Sequence, residues 1–285
     1  MINTDNRTNG VNILVTLDKN YIPHFNVMLS SLLESNGDRF FDIYMLHSTL
    51  SVEDIKDSEL LLRDKGNIHL VKVDERELEN APTTDRYPKE MYYRIFAARY
   101  LPESLDRILY LDPDVIVNKS IDELYSLPMD NAYFAAASHI GSILHIVNEI
   151  RLDMDEEMPY INSGVMLINL DLLRRQQNYN DVFVYINEHK GKLILPDQDV
   201  ISGLYGDKII SLDPYKYNMT ERLYVFKRQS DEKIDIKYIC SNTVIIHYCG
   251  RNKPWKNNYI GRLDVFYLQA KSKMEDKLKS LKNGR

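Results

Sequence analysis

Arg107–Asp114 reads RILYLDPD, and the fold and chemistry of the chain are read outward from it. Ile108 to Leu111 is a short apolar run with Tyr110 inside it, the pattern of a buried strand. Two carboxylates follow at once, Asp112 and Asp114, with Pro113 between them. In an extended chain residues i and i+2 project to the same side, roughly 6.5 Å apart. Pro113 keeps Asp112 extended and has no N–H to continue a ladder, so the strand should stop there. Two like charges this close repel unless a cation lies between them. Mg²⁺ and Mn²⁺ favour oxygen ligands of this kind. Asp-x-Asp also occurs at Asp153/Asp155 and Asp197/Asp199, so the spacing alone carries little weight. A solvated acidic turn is its ordinary explanation. Only Asp112/Asp114 directly follows an apolar strand, and that context favours a metal site.

Upstream, Val11–Leu17 (VNILVTL) is a first strand, and Asp18-Lys19-Asn20-Tyr21 a loop. Pro23 suits the first turn of a helix running to about Glu34. Phe41–His47 is a second strand. Ser51–Lys65 is a helix capped by Ser51 and ended by Gly66, with Asn67–Val73 a third strand. Pro88 opens a helix to about Leu101. This alternation over the first 117 residues implies an α/β fold with a parallel sheet and helices on both faces. Ligands of such sheets bind outside the carboxyl ends of the strands, where Asp18, Asn20 and the acidic pair would lie. No glycine-rich dinucleotide or P-loop phosphate cradle follows a strand. A bound nucleotide would need a metal and basic side chains for its phosphates.

The second half is more mixed. Ala132–Ala137, Gly164–Asn169 and Val244–His247 read as strands, and Asn178–His189 as a helix. Ile161–Gly164 is a turn into the second of these strands. Pro196-Asp197-Gln198-Asp199 precedes a short helix, Val200–Tyr205, with Asp197 as its cap. His247 closes the last strand, ahead of a loop that holds Lys253 and Trp255. Between Arg251 and Arg285 there are ten basic and three acidic residues, a net +7 in a chain of −6. Leu263–Leu281 forms an amphipathic helix with Phe266, Leu268, Met274, Leu278 and Leu281 near one side. Such a helix either lies on an anionic membrane surface or docks on the body.

The 285 residues suffice for one large domain, or one domain and a tail, and 44% hydrophobic with 27% charged residues is an ordinary globular balance. The negative net charge argues against nucleic acid as a partner. MINTDNRTNG has no apolar leader and no run reaches transmembrane length, so a cytoplasmic chain is expected. Cys240 and Cys249 show no zinc or redox spacing and are expected to be reduced. Twenty tyrosines suit sugar or base contacts, or half-buried packing.

Taken together, LVTLDKNY (Leu14–Tyr21), YYRIF (Tyr92–Phe96), RILYLDPD, YINSGVMLINL (Tyr160–Leu170), PDQD and HYCGRNKPW (His247–Trp255) resemble glycosyltransferase family 8. These are the retaining galactosyl- and glucosyltransferases that include bacterial lipopolysaccharide enzymes and, more distantly, glycogenin. The resemblance implies a single Rossmann-like nucleotide-diphospho-sugar transferase domain of the GT-A type. Its sheet would be mixed but mostly parallel, over residues 1–255, with a basic C-terminal helix over 256–285. Asp112, Asp114 and His247 match Mn²⁺ ligands, with Mg²⁺ an alternative. Thr16, Asp18, Asn20 and Tyr21 fall where the UDP-sugar nucleotide is held, Asp18 and Asn20 at the uracil. Arg94 matches a contact to donor sugar and phosphates, and Pro113 fills a spacer often aliphatic in the family. Asn162, Ser163 and Asp197 match sugar-side contacts, and Gln198 faces the anomeric carbon. Gly250 and Lys253 match a closing loop on the pyrophosphate, and Arg86 a phosphate contact.

The implied reaction moves glucose or galactose from a UDP-sugar to a saccharide or glycolipid acceptor. The cation and Lys253 would neutralise the departing diphosphate, a contribution of roughly several kcal/mol. The sugar would pass through an oxocarbenium-like state. Gln198 is a poor nucleophile, which favours front-face attack, with Asp199 as the alternative nucleophile. Peripheral attachment to the inner face of the plasma membrane through the tail is a further expectation. A sugar-nucleotide pyrophosphorylase and a non-catalytic sugar-nucleotide-binding protein are the competing readings.

Overall fold

A computed structural model of the chain describes residues 10–74, 76, 89–229 and 234–284. The apolar runs become the strands of one sheet. β1 (Val11–Thr16), β2 (Phe41–His47) and β3 (Gly66–Lys72) are parallel neighbours, and β4 (Arg107–Leu111) joins β1 on its other side, also parallel. α1 (Ile22–Ser35) opens with Pro23 in its first turn. The predicted helix over 51–65 is instead a 3₁₀ turn, α2 (Lys56–Leu62) and a second 3₁₀ turn, entered through a Ser51/Asp54 capping box. Gly66 both ends this segment and opens β3. A Cβ there would sit 2.0 Å from the Phe41 carbonyl oxygen, so the close pairing of Gly66 with Phe41 requires glycine.

The segment expected as a helix up to Leu101 winds as 3₁₀ from Lys89 to Phe96 before α3 (Ala97–Tyr100). Its expected start, Pro88, lies outside the described residues. Tyr92, Tyr93, Arg94, Ile95 and Phe96 are all buried, so packing from every side sets the winding rather than one apolar face.

After β4 come β5 (Val115–Val117), α4 (Asp122–Tyr125), β6 (Phe134–Ala137), α5 (Ser142–Leu152) and β7 (Val165–Asn169). α6 (Leu170–Gln176), α7 (Tyr179–Glu188), α8 (Pro196–Tyr205) and β8 (Ile209–Leu212) follow. The chain ends with α9 (Pro214–Tyr217), α10 (Glu221–Gln229), α11 (Ile236–Asn242), β9 (Ile245–His247) and α12 (Asp264–Asn283).

The sheet order is β3-β2-β1-β4-β7-β6-β8. β7 runs antiparallel to both β4 and β6, and the other pairs are parallel. The expected α/β architecture with a mixed, mostly parallel sheet is therefore present. Alternate residues feed two cores, one on each face. Ile13, Val15, Leu109, Leu111, Val165 and Leu167 enter one, while Leu14, Ile108, Tyr110, Met166 and Ile168 enter the other. β5 and β9 form a separate antiparallel ribbon over the first core.

α12 docks on α1 and α2. Phe266, Tyr267, Ala270 and Met274 are buried and Leu278 is half-buried, whereas Leu268 is 49% exposed and leaves the predicted stripe. Lys273 pairs with Glu34 of α1, and Lys282 with Asp57 of α2 at 2.7 Å. Among the described residues, no helix is long and apolar enough to cross a membrane.

Candidate active site

The sheet brings three distant segments to one point. β5 pairs with β9 so that Val115 lies opposite His247, which sets Asp114 beside the imidazole. The Asp112 N–H donates to the Gly164 carbonyl at 2.8 Å, tying the end of β4 to the turn before β7. Asp112, Asp114 and His247 thus each offer a ligand atom within 4.8 Å of the others. His247 Nε2 lies 3.3 Å from Asp114 Oδ1 and 3.6 Å from Asp112 Oδ2.

The other nitrogen of His247 is already committed. Nδ1 lies 2.9 Å from Asn218 Oδ1, and Asn218 Nδ2 donates to Asn162 Oδ1 at 3.0 Å. With its amide N–H on Asn162, Asn218 turns its oxygen to the imidazole, so Nδ1–H donates to it. Nε2 then points a lone pair toward two carboxylates, which only accept. Asp114 Oδ1 is buried with no hydrogen-bond partner. A histidine oriented through its second nitrogen beside a stranded carboxylate oxygen is the donor set of a divalent cation site.

Gly164 makes room for this cluster. A Cβ at that position would fall 2.2 Å from His247 Cε1 and 2.6 Å from Asp112 Oδ2. Lys253, only 7% exposed, donates to Asp114 Oδ2 and, at 2.8 Å, to the Tyr248 carbonyl. Burial alone would raise the Asp114 carboxyl. The Lys253 ammonium outweighs it and holds that carboxyl well below the ordinary range. Burial would likewise lower the Lys253 ammonium, and Asp114 raises it instead.

Behind the acidic pair, Arg94 is buried between two carboxylates, 3.2 Å from Asp112 Oδ1 and 3.2 Å from Asp197 Oδ2. It also donates to Ser163 O at 3.0 Å and lies 4.2 Å over the Tyr110 ring. Ser163 Oγ donates to Asp197 Oδ2 at 2.7 Å, yet burial still raises the Asp197 carboxyl. Asn162 Nδ2 donates to Gln198 Oε1 at 3.2 Å, which joins α8 to the Asp112, Asp114 and His247 cluster through Asn162 and Asn218.

The family model for glycosyl transferase family 8 matches residues 12–259. The chain belongs to glycosyl transferase family 8. It is 31% identical over 252 residues to a lipopolysaccharide 1,2-glucosyltransferase of Escherichia coli, covering 86% of this chain and 73% of that one. Identity to a lipopolysaccharide 1,3-galactosyltransferase of Salmonella typhimurium is 26% over 267 residues, covering 92% and 77% of the two chains. The fold matches the galactosyltransferase LgtC, solved with donor and acceptor sugar analogs, at a TM-score of 0.80 and 22% identity over 92% of this chain and 96% of that one. The resemblance drawn from the sequence motifs and the GT-A fold it implied are borne out. This family 8 member is a hexosyltransferase.

Other expected donor contacts of the transferase lie at the carboxyl end of β1. Asp18 caps a turn by accepting from Tyr21 N at 3.2 Å and Asn20 Nδ2 at 3.1 Å. Thr16 Oγ1 lies 3.0 Å from the Tyr110 hydroxyl, which donates to Asp112 Oδ1 at 2.5 Å. Pro113 is buried, and Gly250 is exposed with φ +81°, turning the loop back toward Lys253. Arg86 lies outside the described residues.

Two expectations of this region change. Asp197 does not cap α8, because the helix begins at Pro196 and Asp197 turns inward to Arg94 and Ser163. Asp199 has no free oxygen for nucleophilic attack. It is fully buried, gripped by Arg151 through two 2.7 Å bonds, by the Tyr160 hydroxyl at 2.7 Å, and by the N–H groups of Ile194 and Leu195. Asp199→Ala should therefore cost about 3–5 kcal/mol of stability by stranding Arg151. Urea unfolding measures this; a stability unchanged with activity lost would return Asp199 to the chemistry.

Sequence reading missed Asn218, Gly164 and Tyr110. Tyr110 and Gly164 stand inside the quoted motifs, whereas Asn218, in KYNMT, carries no local sign of its partner.

Proposed function

We propose that this enzyme transfers glucose or galactose from a UDP-sugar to a saccharide or glycolipid acceptor, with retention of anomeric configuration and with Mn²⁺ at Asp112, Asp114 and His247. The observation that carries this is the buried, partnerless Asp114 Oδ1 facing an imidazole nitrogen whose counterpart is fixed on Asn218. These residues fit a divalent cation by donor type, by spacing, and by the hollow that Gly164 leaves over them. When bound, the cation supplies positive charge against the diphosphate that leaves.

The chain's own groups do the rest. Lys253 places a second positive charge beside the acidic pair, where a diphosphate would lie. Arg94 fixes Asp112 on one side and Asp197 on the other, so it sets the spacing between metal and sugar contacts. Asp197 and Ser163 present acceptors for sugar hydroxyls, and Asn162 orients the Gln198 amide beside them. Asp197 is bound to Arg94 and Ser163, and Asp199 accepts five hydrogen bonds. Front-face attack, which needs no carboxylate nucleophile, is the route these contacts favour.

Residues 1–255 form the transferase domain in this reading and 256–285 its appended helix. The setting is the cytoplasm, at the inner face of the plasma membrane. Since α12 turns its apolar side to the body, any membrane contact would run through its lysines and weaken with salt. Family membership removes the support of the pyrophosphorylase and binding-protein alternatives.

Calorimetric titration of UDP, with chelator and then with Mn²⁺, tests the proposal. Mn²⁺ should tighten UDP by about tenfold or more. Incubation with UDP-glucose and UDP-galactose should release one hexose in preference. UDP binding indifferent to Mn²⁺ would overturn the site.

A further inference from the structure

The loop that carries Lys253 is held at both ends by packing against α1 and α12. At one end Tyr248 is buried, donates its hydroxyl to Leu263 O at 2.7 Å and meets the Tyr267 ring edge-on at 5.9 Å. At the other end stands Trp255, the one tryptophan of the sequence. It stacks on His24 of α1 with ring centroids 3.6 Å apart and planes 17° from parallel, and lies 5.3 Å from Tyr267. His24 Nδ1 is itself 2.8 Å from the Tyr267 hydroxyl. Burial takes the His24 imidazole down to about 4, so it stacks as a neutral ring. The Asn252 side chain closes the loop by bonding the Ile260 backbone twice, at 2.7 and 2.9 Å.

Lys253 lies between these holds, its Nζ 5.4 Å from the Trp255 ring centre. A lysine stem has many rotamers and its ammonium makes no directional fork, so its aim depends on the backbone beneath it. Resting on the reading of Lys253 as a diphosphate-holding cation, we propose that His24 and Tyr267 are positioning residues for the transfer. They brace Trp255 and through it keep Lys253 at the acidic pair, which makes the C-terminal helix part of the active site. A helix serving only as a tether would need no ring of its own against this loop.

The test is a double-mutant cycle on UDP affinity with Mn²⁺, read by calorimetry, with Trp255 fluorescence followed in the same samples. Lys253→Ala should weaken UDP by about tenfold, and His24→Ala by roughly threefold to tenfold. His24→Ala should add nothing in the Lys253→Ala background, and Trp255 emission should move to the red as its stacking partner is lost. Tyr267→Phe keeps the ring and removes only the hydroxyl, so it should show a smaller effect of the same kind; it carries the cycle if His24→Ala folds poorly. UDP binding unchanged in Lys253→Ala would remove the reading of the lysine, and the brace with it. If Lys253→Ala weakens UDP while His24→Ala and Tyr267→Phe do not, the brace alone is overturned. It is overturned equally if His24→Ala costs the same in both backgrounds.

Discussion

Asp114→Asn is expected to abolish transfer, lowering kcat/KM by about 10³-fold or more, while the chain still folds. The carboxylate is 7% exposed, and one of its oxygens is engaged by Lys253 while the other has no hydrogen-bond partner. An asparagine has the same shape and keeps an acceptor for Lys253, but removes the negative charge that a cation needs. It also relieves repulsion between Asp114 and Asp112, which offsets part of the lost attraction to Lys253. Some stability is lost because buried Lys253 keeps an acceptor but loses its charged partner, yet the change should be smaller than for Asp199→Ala. Two measurements check it: Mn²⁺-dependent UDP binding, expected to vanish, and the urea midpoint, expected to fall while the unfolding transition remains cooperative. Normal turnover in this variant would sink the cation site.

Gly164→Ala should be nearly as damaging, although it adds one methyl group and removes no functional atom. That methyl would overlap His247 Cε1 and Asp112 Oδ2, both closer than any real Cβ contact allows. Backbone strain is not the cause, since Gly164 is not among the positive-φ residues. His247 or Asp112 would have to shift by about 1 Å, a displacement worth on the order of 10²-fold in rate. Gly191→Ala is the matched control, with nothing within 4 Å of its added carbon, and should behave as wild type. Assaying both for Mn²⁺-dependent UDP affinity separates crowding of the site from a general glycine effect. An unimpaired Gly164→Ala would show that the imidazole has freedom the packing does not suggest.

What the chain reveals locally and what it hides divide along a physical line. β1, β2 and β4 are buried on both faces, so they read as nearly continuous apolar runs, with Asn12 and Asp42 the half-buried polar residues near the starts of β1 and β2. The acidic pair was legible because Pro113 and the preceding strand fix it locally. The antiparallel insertion of β7 between β4 and β6 was not, since partner choice belongs to the tertiary fold. α5 was missed because Leu144, Ile146, Val147 and Ile150 are all exposed and blur its two faces. Asp197 was misread as a cap although Pro196 just before it fits a first helical position, which moves the helix start upstream. Leu268 was misplaced because the docked face of α12 follows Phe266, Tyr267, Ala270 and Met274 rather than the larger aliphatics. Asn218 defeats local reading altogether: its meaning comes from His247 and Asn162, one on either side of it in the sequence and both remote.

The ribbon of β5 and β9 also has a bearing on how the molecule is made. Val115 leaves the ribosome long before its partner strand has been synthesised. A growing polypeptide therefore displays its aspartates long before the imidazole and the ammonium arrive to answer them. Ligand binding stabilises only the state that has the site. No ligand of that site can shelter the nascent chain, which must rely on its own apolar packing until β9 has been made.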